Sequence, residues 1–254
     1  MSLSMSLFSP LTLAAGAVCM GICLAGTAAG GLLAYALGRT QARLFPLLIA
    51  MSAGMIFAML VLDVLPESVR LGGWLPTLGG LLAGWALARL LDSWVHRRYP
   101  HARAEGQESF LHSSGLLALA LALHNFPAGF ALGSALGSAP EITRSISWAL
   151  GLHSVPEGIA LGLPFAAAGR SRLELARLMV WISLPTLLGA AAGRSLESLE
   201  PAGLSLMLGI AGGTILYVVI VEFTLPVLSR ISPVTGLTAW SAGACIGVLC
   251  LLAA

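Results

Sequence analysis

Two stretches of the chain repeat one pattern of potentially reactive residues. Ala120-Leu-Ala-Leu-His124-Asn125-Phe126-Pro127-Ala128-Gly129-Phe-Ala-Leu-Gly133 aligns with Ala149-Leu-Gly-Leu-His153-Ser154-Val155-Pro156-Glu157-Gly158-Ile-Ala-Leu-Gly162, and nine of the fourteen positions are identical. In each copy a histidine precedes a proline by three residues. Proline has no N–H to donate, so Pro127 and Pro156 free the carbonyls of Leu123 and Leu152. His153 and Glu157 are four apart and project from one face of a helix. Neutral imidazoles and a carboxylate make a borderline-soft donor set that suits Zn²⁺ or another divalent first-row ion. The plainer alternative is a pair of histidines that only hydrogen-bond neighbouring helices. Two of them, each with the same proline and Gly-x-Ala-Leu-Gly sequel, argue against it. His-x-x-x-Glu is not the His-Glu-x-x-His of a zinc protease, which occurs nowhere in the chain, so a peptidase is disfavoured and the chain is read as no enzyme.

A second series lies upstream. Met51, Met55, Met59, Asp63 and Glu67 recur every four residues, which places them on one face of a regular α-helix. A methionine stripe alone is usually packing; one that ends in two acids reads as a wall of a cation path. Glu222, far downstream, is a third acid in an apolar stretch, read either as the other end of that path or as the partner of a nearby arginine.

The elements that hold these residues follow from composition. Only 9% of the 254 residues are charged, 57% are hydrophobic and the mean hydropathy is +0.92, whereas about a quarter of a soluble domain is charged. That excludes a soluble protein, a disordered tail, a nucleic-acid binder and a disulfide scaffold, and leaves an integral membrane protein. A crossing helix needs about 20 apolar residues. Eight stretches qualify: spans one to eight over Leu11–Leu37, Phe45–Leu65, Leu75–Leu91, Gly115–Leu136, Ile142–Phe165, Ala176–Ala192, Leu204–Val227 and Leu237–Ala253. The prediction is an all-α polytopic fold in a single transmembrane domain over residues 1–254, with its longest loop at about 92–114. Ionisable groups at membrane depth are expensive and mark function by default, which singles out Asp63, His124, His153, Glu157 and Glu222.

All 13 basic residues are Arg, read as the base composition of a GC-rich bacterium. With the N-terminus outside, only Arg70, Arg144 and Arg194 face outward and the other ten face the cytoplasm, a strong positive-inside bias. Both termini are therefore expected outside a bacterial cytoplasmic (inner) membrane. The loop bearing His96, His101 and His112 is expected inside, where these histidines either receive an ion or belong to an ordinary solvated loop. Trp74, Trp94 and Trp148 fall near the expected interfaces. No basic residue precedes the first apolar run, so a cleaved signal peptide is not expected. Cys19 and Cys23, four apart, could form a soft ligand pair; the plainer reading is buried thiols that pack between helices. Small residues at Gly84, Gly212 and Gly213 suit helix contacts or a homodimer.

His-Asn-x-Pro and His-x-x-Pro-Glu-Gly in consecutive spans, with Ser52-Ala53-Gly54-Met55 and Leu-Pro-Glu67 in span two, resemble the ZIP (Zrt-/Irt-like) family of divalent-metal transporters, its bacterial branch most of all. The resemblance covers essentially the whole chain. It implies a 3+2+3 arrangement, with spans one to three and six to eight related by inversion around four and five, and an elevator-like or rocking movement. It implies a primary metal site at Met55, His124, His153 and Glu157, with Asn125 beside a second one. Asp63 and Glu67 then form the outer mouth and Glu222 the inner exit.

The departures fall on the second metal position. Ala128 stands where the family has Glu, Ser154 where Asp or Asn is frequent, Leu184 where Glu precedes Pro185, and Val221 where His precedes Glu222. The expectation is therefore a mononuclear site of two imidazoles, one carboxylate and one thioether. It would serve transport of a divalent transition metal, Zn²⁺ first, into the cytoplasm, with the metal as cargo rather than catalytic cofactor. The alternative is a metal-binding membrane sensor or regulatory homologue that no longer transports.

Overall fold

The computed structural model describes residues 10–40, 45–98, 107–135, 140–195 and 200–253. The helices are α1 (Pro10–Thr40), α2 (Phe45–Met59, a π-helical stretch Leu60–Val64, then Leu65–Gly72), α3 (Trp74–Arg98), α4 (Gln107–Ala135), α5 (Pro140–Ala167), α6 (Arg172–Ser195), α7 (Pro201–Tyr217, a π-helical stretch Val218–Thr224, then Leu225–Arg230) and α8 (Pro233–Ala253). They correspond one to one with the eight expected spans, and no strand occurs among the described residues. Seven are long and apolar enough to cross a bilayer; the eighth, α5, has 28 residues.

Local chemistry sets the boundaries. Pro10, Pro140, Pro201 and Pro233 each open a helix, where the missing N–H leaves nothing unsatisfied. α2 stops at Gly73, whose φ of 83° a side chain would resist; its N–H closes on the Val69 carbonyl at 2.8 Å. α6 begins with a capping box: Ser171 N–H donates to Glu174 Oε2 at 2.8 Å and Glu174 N–H donates to Ser171 Oγ at 3.2 Å. The loop expected at about 92–114 is helical at both ends, since α3 runs on to Arg98 and α4 starts at Gln107. Hydropathy marks where hydrocarbon ends, and a helix can continue past it into polar sequence. His101 lies outside the described residues, as do the side chains of His96 and His112.

The packing has the predicted inversion. α1 lies along α5 as α6 lies along α4, α2 pairs with α8 as α7 pairs with α3, and α2 meets α5 as α7 meets α4. Exchange of α1 with α6, α2 with α7, α3 with α8 and α4 with α5 thus maps the contacts onto themselves. Small residues permit the closest pairs, as they do between membrane helices generally. A Cβ at Gly30 of α1 would strike the Val155 carbonyl of α5, and one at Gly189 of α6 would strike the Phe126 carbonyl of α4. Gly84 and Gly213 lie between α3 and α7, against Ile210 and Leu81, so these small residues make helix contacts within the chain.

α3 and α8 lie at the periphery, with Leu82 and Leu249 among the large apolar side chains left exposed. Such surface is a liability in water and suits hydrocarbon. Trp74, Trp94 and Trp148 are all exposed, as interface-belt residues are. Cys19 and Cys23 are fully buried in an apolar cluster with Leu132, Leu150 and Ala190, in line with the packing reading. A buried hydroxyl group of three ties α2, α3 and α7 together: Ser68 Oγ to Thr77 Oγ1 at 2.9 Å, Thr77 Oγ1 to Ser205 Oγ at 3.0 Å, and a donation from Ser68 Oγ to the Ser205 carbonyl at 2.9 Å.

The π-helical stretches were not foreseen. Bonding from i to i+5 delays each residue's turn about the axis, so the expected four-residue stripe breaks after Met59. Met59 is buried, whereas Asp63, inside the π stretch, is exposed.

Candidate metal centre

α4 and α5 continue as helices through Pro127 and Pro156. They face each other across the middle of the bundle, flanked by α2 on one side and α7 on the other. His124 projects from α4; His153 and Glu157 project from α5, one turn apart. Nε2 of His124 is 3.8 Å from Glu157 Oε1, and Nε2 of His153 is also 3.8 Å from that same oxygen. The two rings stack with centroids 5.3 Å apart and 19° between their planes. One ligand atom from each of the three residues can be chosen so that all lie within 4.8 Å of one another. Ligands on a tetrahedral Zn²⁺ at about 2.0–2.2 Å stand roughly 3.3–3.6 Å apart. The two imidazole–carboxylate separations therefore need to close by only a few tenths of an ångström, and the widest separation in the triad by at most about 1.5 Å, for all three to share one ion.

Burial makes this a costly arrangement without a ligand. His124 is 3% exposed and Glu157 2%, and His124 Nδ1 and Glu157 Oε2 have no hydrogen-bond partner. A carboxylate in an apolar interior must be compensated by a cation or a proton. The donor set and its unpaired atoms fit a divalent metal.

Of the other expected residues, Asp63 stands against the triad. Asp63 Oδ2 stands 3.7 Å from His153 Nδ1. Asp63 thus lies behind a candidate ligand, as outer-shell carboxylates do behind metal-bound histidines. The sequence reading put Asp63 at the mouth, and its pairing with His153 is new; the signal was hidden by the π stretch. Glu67 sits further along α2, in a two-pronged ion pair with Arg70 at 2.7 and 2.5 Å. Asn125, 1% exposed, donates from Nδ2 to the Ile182 carbonyl at 2.7 Å, which ties α4 to α6. Met55, 7% exposed, lines a cavity among α1, α2, α5 and α8 with Ala34, Ile159 and Ile246. Glu222 lies in the π stretch of α7, close enough to Tyr217 for its charge to act on the phenol; Tyr217 in turn donates to Asp92 Oδ2 at 2.8 Å.

Two residues that the motif search passed over, Ser183 and Thr186, join Ser154 and Cys23 in the surroundings. Ser154, Ser183 and Thr186 face the thiol of Cys23, within the field of Glu157. The hydroxyls of Ser183 and Thr186 have no hydrogen-bond partner among the described residues. A scan for ionisable residues cannot find them.

Eight apolar helices in an inverted arrangement around a buried His/His/Glu triad define a polytopic membrane protein with a candidate cation site at its centre. The sequence profile of the ZIP zinc transporter family matches residues 95–252. The chain is 31% identical to the zinc transporter ZupT of Chlorobium luteolum over 76% of its own length and 80% of that protein. It is 38% identical to the zinc transporter GufA of Myxococcus xanthus over 55% of its own length and 56% of that protein. The chain belongs to the ZIP zinc transporter family.

Proposed function

We propose that this protein carries a divalent transition-metal ion, zinc first, into the cytoplasm by alternating access, one ion at a time. The observation that carries the proposal is the convergence of two imidazole Nε2 atoms on a single buried carboxylate oxygen, each at 3.8 Å. The names of its relatives, zinc transporters ZupT and GufA, support the choice of cargo.

Asp63 leads the hydrated ion towards His153. Glu67 contributes less to that attraction than its position in the sequence suggests, because Arg70 already grips it. At the centre His124, His153 and Glu157 bind the ion, with the Met55 thioether as fourth ligand and Asn125 holding α4 against α6 beside it. Glu222 receives the ion on the other side. Charge arithmetic favours one ion: with Glu157 as the sole carboxylate, one M²⁺ leaves +1, while a second ion would leave +3 in a low-dielectric interior. The arginine distribution supports the inward direction, on a topology with both termini outside and Glu222 towards the cytoplasm.

The test is zinc flux into proteoliposomes. Uptake by the wild type that Glu157→Ala abolishes supports transport. Zinc binding that depends on His124, His153 and Glu157 without any wild-type flux would assign the chain to the sensor class instead.

A further inference from the structure

α1 and α6 are counterparts in the inverted packing, and contact fixes their register. A Cβ at Gly158 would strike the Thr27 carbonyl of α1, and one at Gly129 the Thr186 carbonyl of α6. In the same way Gly162 meets the Gly31 carbonyl and Gly133 the Ala190 carbonyl. Both comparisons give one offset, 159 residues between a position on α1 and its counterpart on α6. By that register Arg172 and Arg177 fall where α1 presents Leu13 and Val18, and all four residues are exposed. An inversion puts the two pairs at equal depth on opposite sides of the bundle. Packing that accepts leucine and valine in one half does not demand arginine in the other.

Arg177 lies inside the apolar span Arg172–Arg194, about 7.5 Å along the helix axis from Arg172. Leu173, Val180, Trp181 and Leu188 share its face of the helix by their spacing, and all are exposed. A guanidinium on such a stripe reaches back along its own stem to the headgroup layer. Arg177 makes no ion pair among the described residues. Glu174, the one acid near it in sequence, already accepts from Ser171 N–H at 2.8 Å and from Arg170 Nη1 at 3.2 Å. Arg172 lies over the Tyr35 ring, 5.8 Å from its centroid, a stacking that leaves its N–H edge free. The start of α6 thus sets three arginines against one carboxylate, beside an apolar face.

We propose that Arg172 and Arg177 hold the phosphate of an anionic phospholipid whose acyl chains lie along Leu173, Val180 and Trp181. Guanidinium groups match phosphate oxygens in charge and in forked geometry. A zwitterionic lipid brings its own cation beside the phosphate, which the surplus of positive charge repels; an anionic lipid brings none. On the topology proposed above, this end of α6 faces the cytoplasmic leaflet, whose surface potential is negative. Tyr35 O–H donates to the Arg170 carbonyl at 2.7 Å, so the lipid sits at the joint of α1 with the α5–α6 turn.

The test is bromine quenching of tryptophan emission in phosphatidylcholine bilayers doped with brominated phosphatidylglycerol or, separately, with brominated phosphatidylcholine. The share of Trp181 is the quenching that Trp181→Phe removes. Half-maximal quenching of that share is expected at about one-fifth the mole fraction for the anionic lipid, the size of one arginine's attraction to a charged headgroup. The preference is expected to vanish when Arg172→Gln and Arg177→Gln are combined. Equal quenching by the two lipids, or a preference that outlasts the double substitution, overturns the proposal. So does a Trp181 that neither lipid reaches, which would mean that a second copy of the chain covers this face. Where the double variant does not fold, salt at about 1 M takes its place with the wild type, since screening then shortens to about 3 Å. The preference is expected to disappear, and one that salt leaves intact overturns the proposal equally.

Discussion

His124 and His153, on neighbouring helices that run in opposite directions, stack their imidazoles at 5.3 Å between centroids and 19° from parallel. Two rings held so close expel water from between them. They also aim equivalent nitrogens at Glu157, the one acid among the described residues paired with both. That relationship, rather than either histidine alone, is what makes the centre of this bundle a ligand set.

Glu157 supplies the only carboxylate of the triad. Glu157→Gln keeps the shape of the side chain and removes its charge, so zinc affinity is expected to fall at least about 100-fold, beyond the 10–100-fold typical of outer-shell partners. Isothermal titration in detergent checks this. An affinity within threefold (roughly 0.65 kcal/mol) of the wild type would move the ion elsewhere.

Metal and proton compete for the same imidazole nitrogens, since a ligand must be deprotonated to bind. Zinc affinity is therefore expected to fall as the pH is lowered from about 7.5 to about 5.5. Equilibrium dialysis at the two values measures it. Tighter binding at the lower pH would contradict imidazole ligation.

The seam between α1 and α5 tolerates no side chain at its closest points. Gly30→Val pushes a Cβ against the Val155 carbonyl, and overpacking of this kind costs about 1–3 kcal/mol; a lower Tm is expected. Gly21→Ala, on the same helix with nothing within 4 Å of the new carbon, is the control. It should be neutral or raise stability by up to about 1 kcal/mol.

Thr186 buries a hydroxyl that has no hydrogen-bond partner among the described residues. Thr186→Val removes this desolvated group at nearly constant shape and is expected to stabilise the zinc-free protein by about 1 kcal/mol. Thermal unfolding in detergent reads the change. A loss of stability would mean that a water or an ion holds the hydroxyl.

The sequence was a good guide to what repeats and to what hydrocarbon excludes. Eight apolar runs gave eight helices, and the paired His-x-x-Pro segments gave the triad, because an ionisable group at that depth has few reasons to exist. It was a poor guide where geometry departs from the regular α-helix. The four-residue stripe from Met51 to Glu67 assumed constant pitch, and the π stretch at Leu60–Val64 turned Asp63 out of the methionine face and up to His153. Helix ends were also misjudged around 92–114, where polar residues continue α3 and α4 past the apolar limit. The hydroxyls of Ser183 and Thr186 carry no sequence signal for a site; only the fold brings them to Cys23, within the field of Glu157.

Anomalous diffraction at the zinc edge from crystals grown with zinc tests the central claim most directly. A single peak among His124 Nε2, His153 Nε2 and Glu157 Oε1, at about 2.0–2.2 Å from each, is the expected result. Two peaks bridged by Glu157, or a peak that leaves either histidine out, would contradict it.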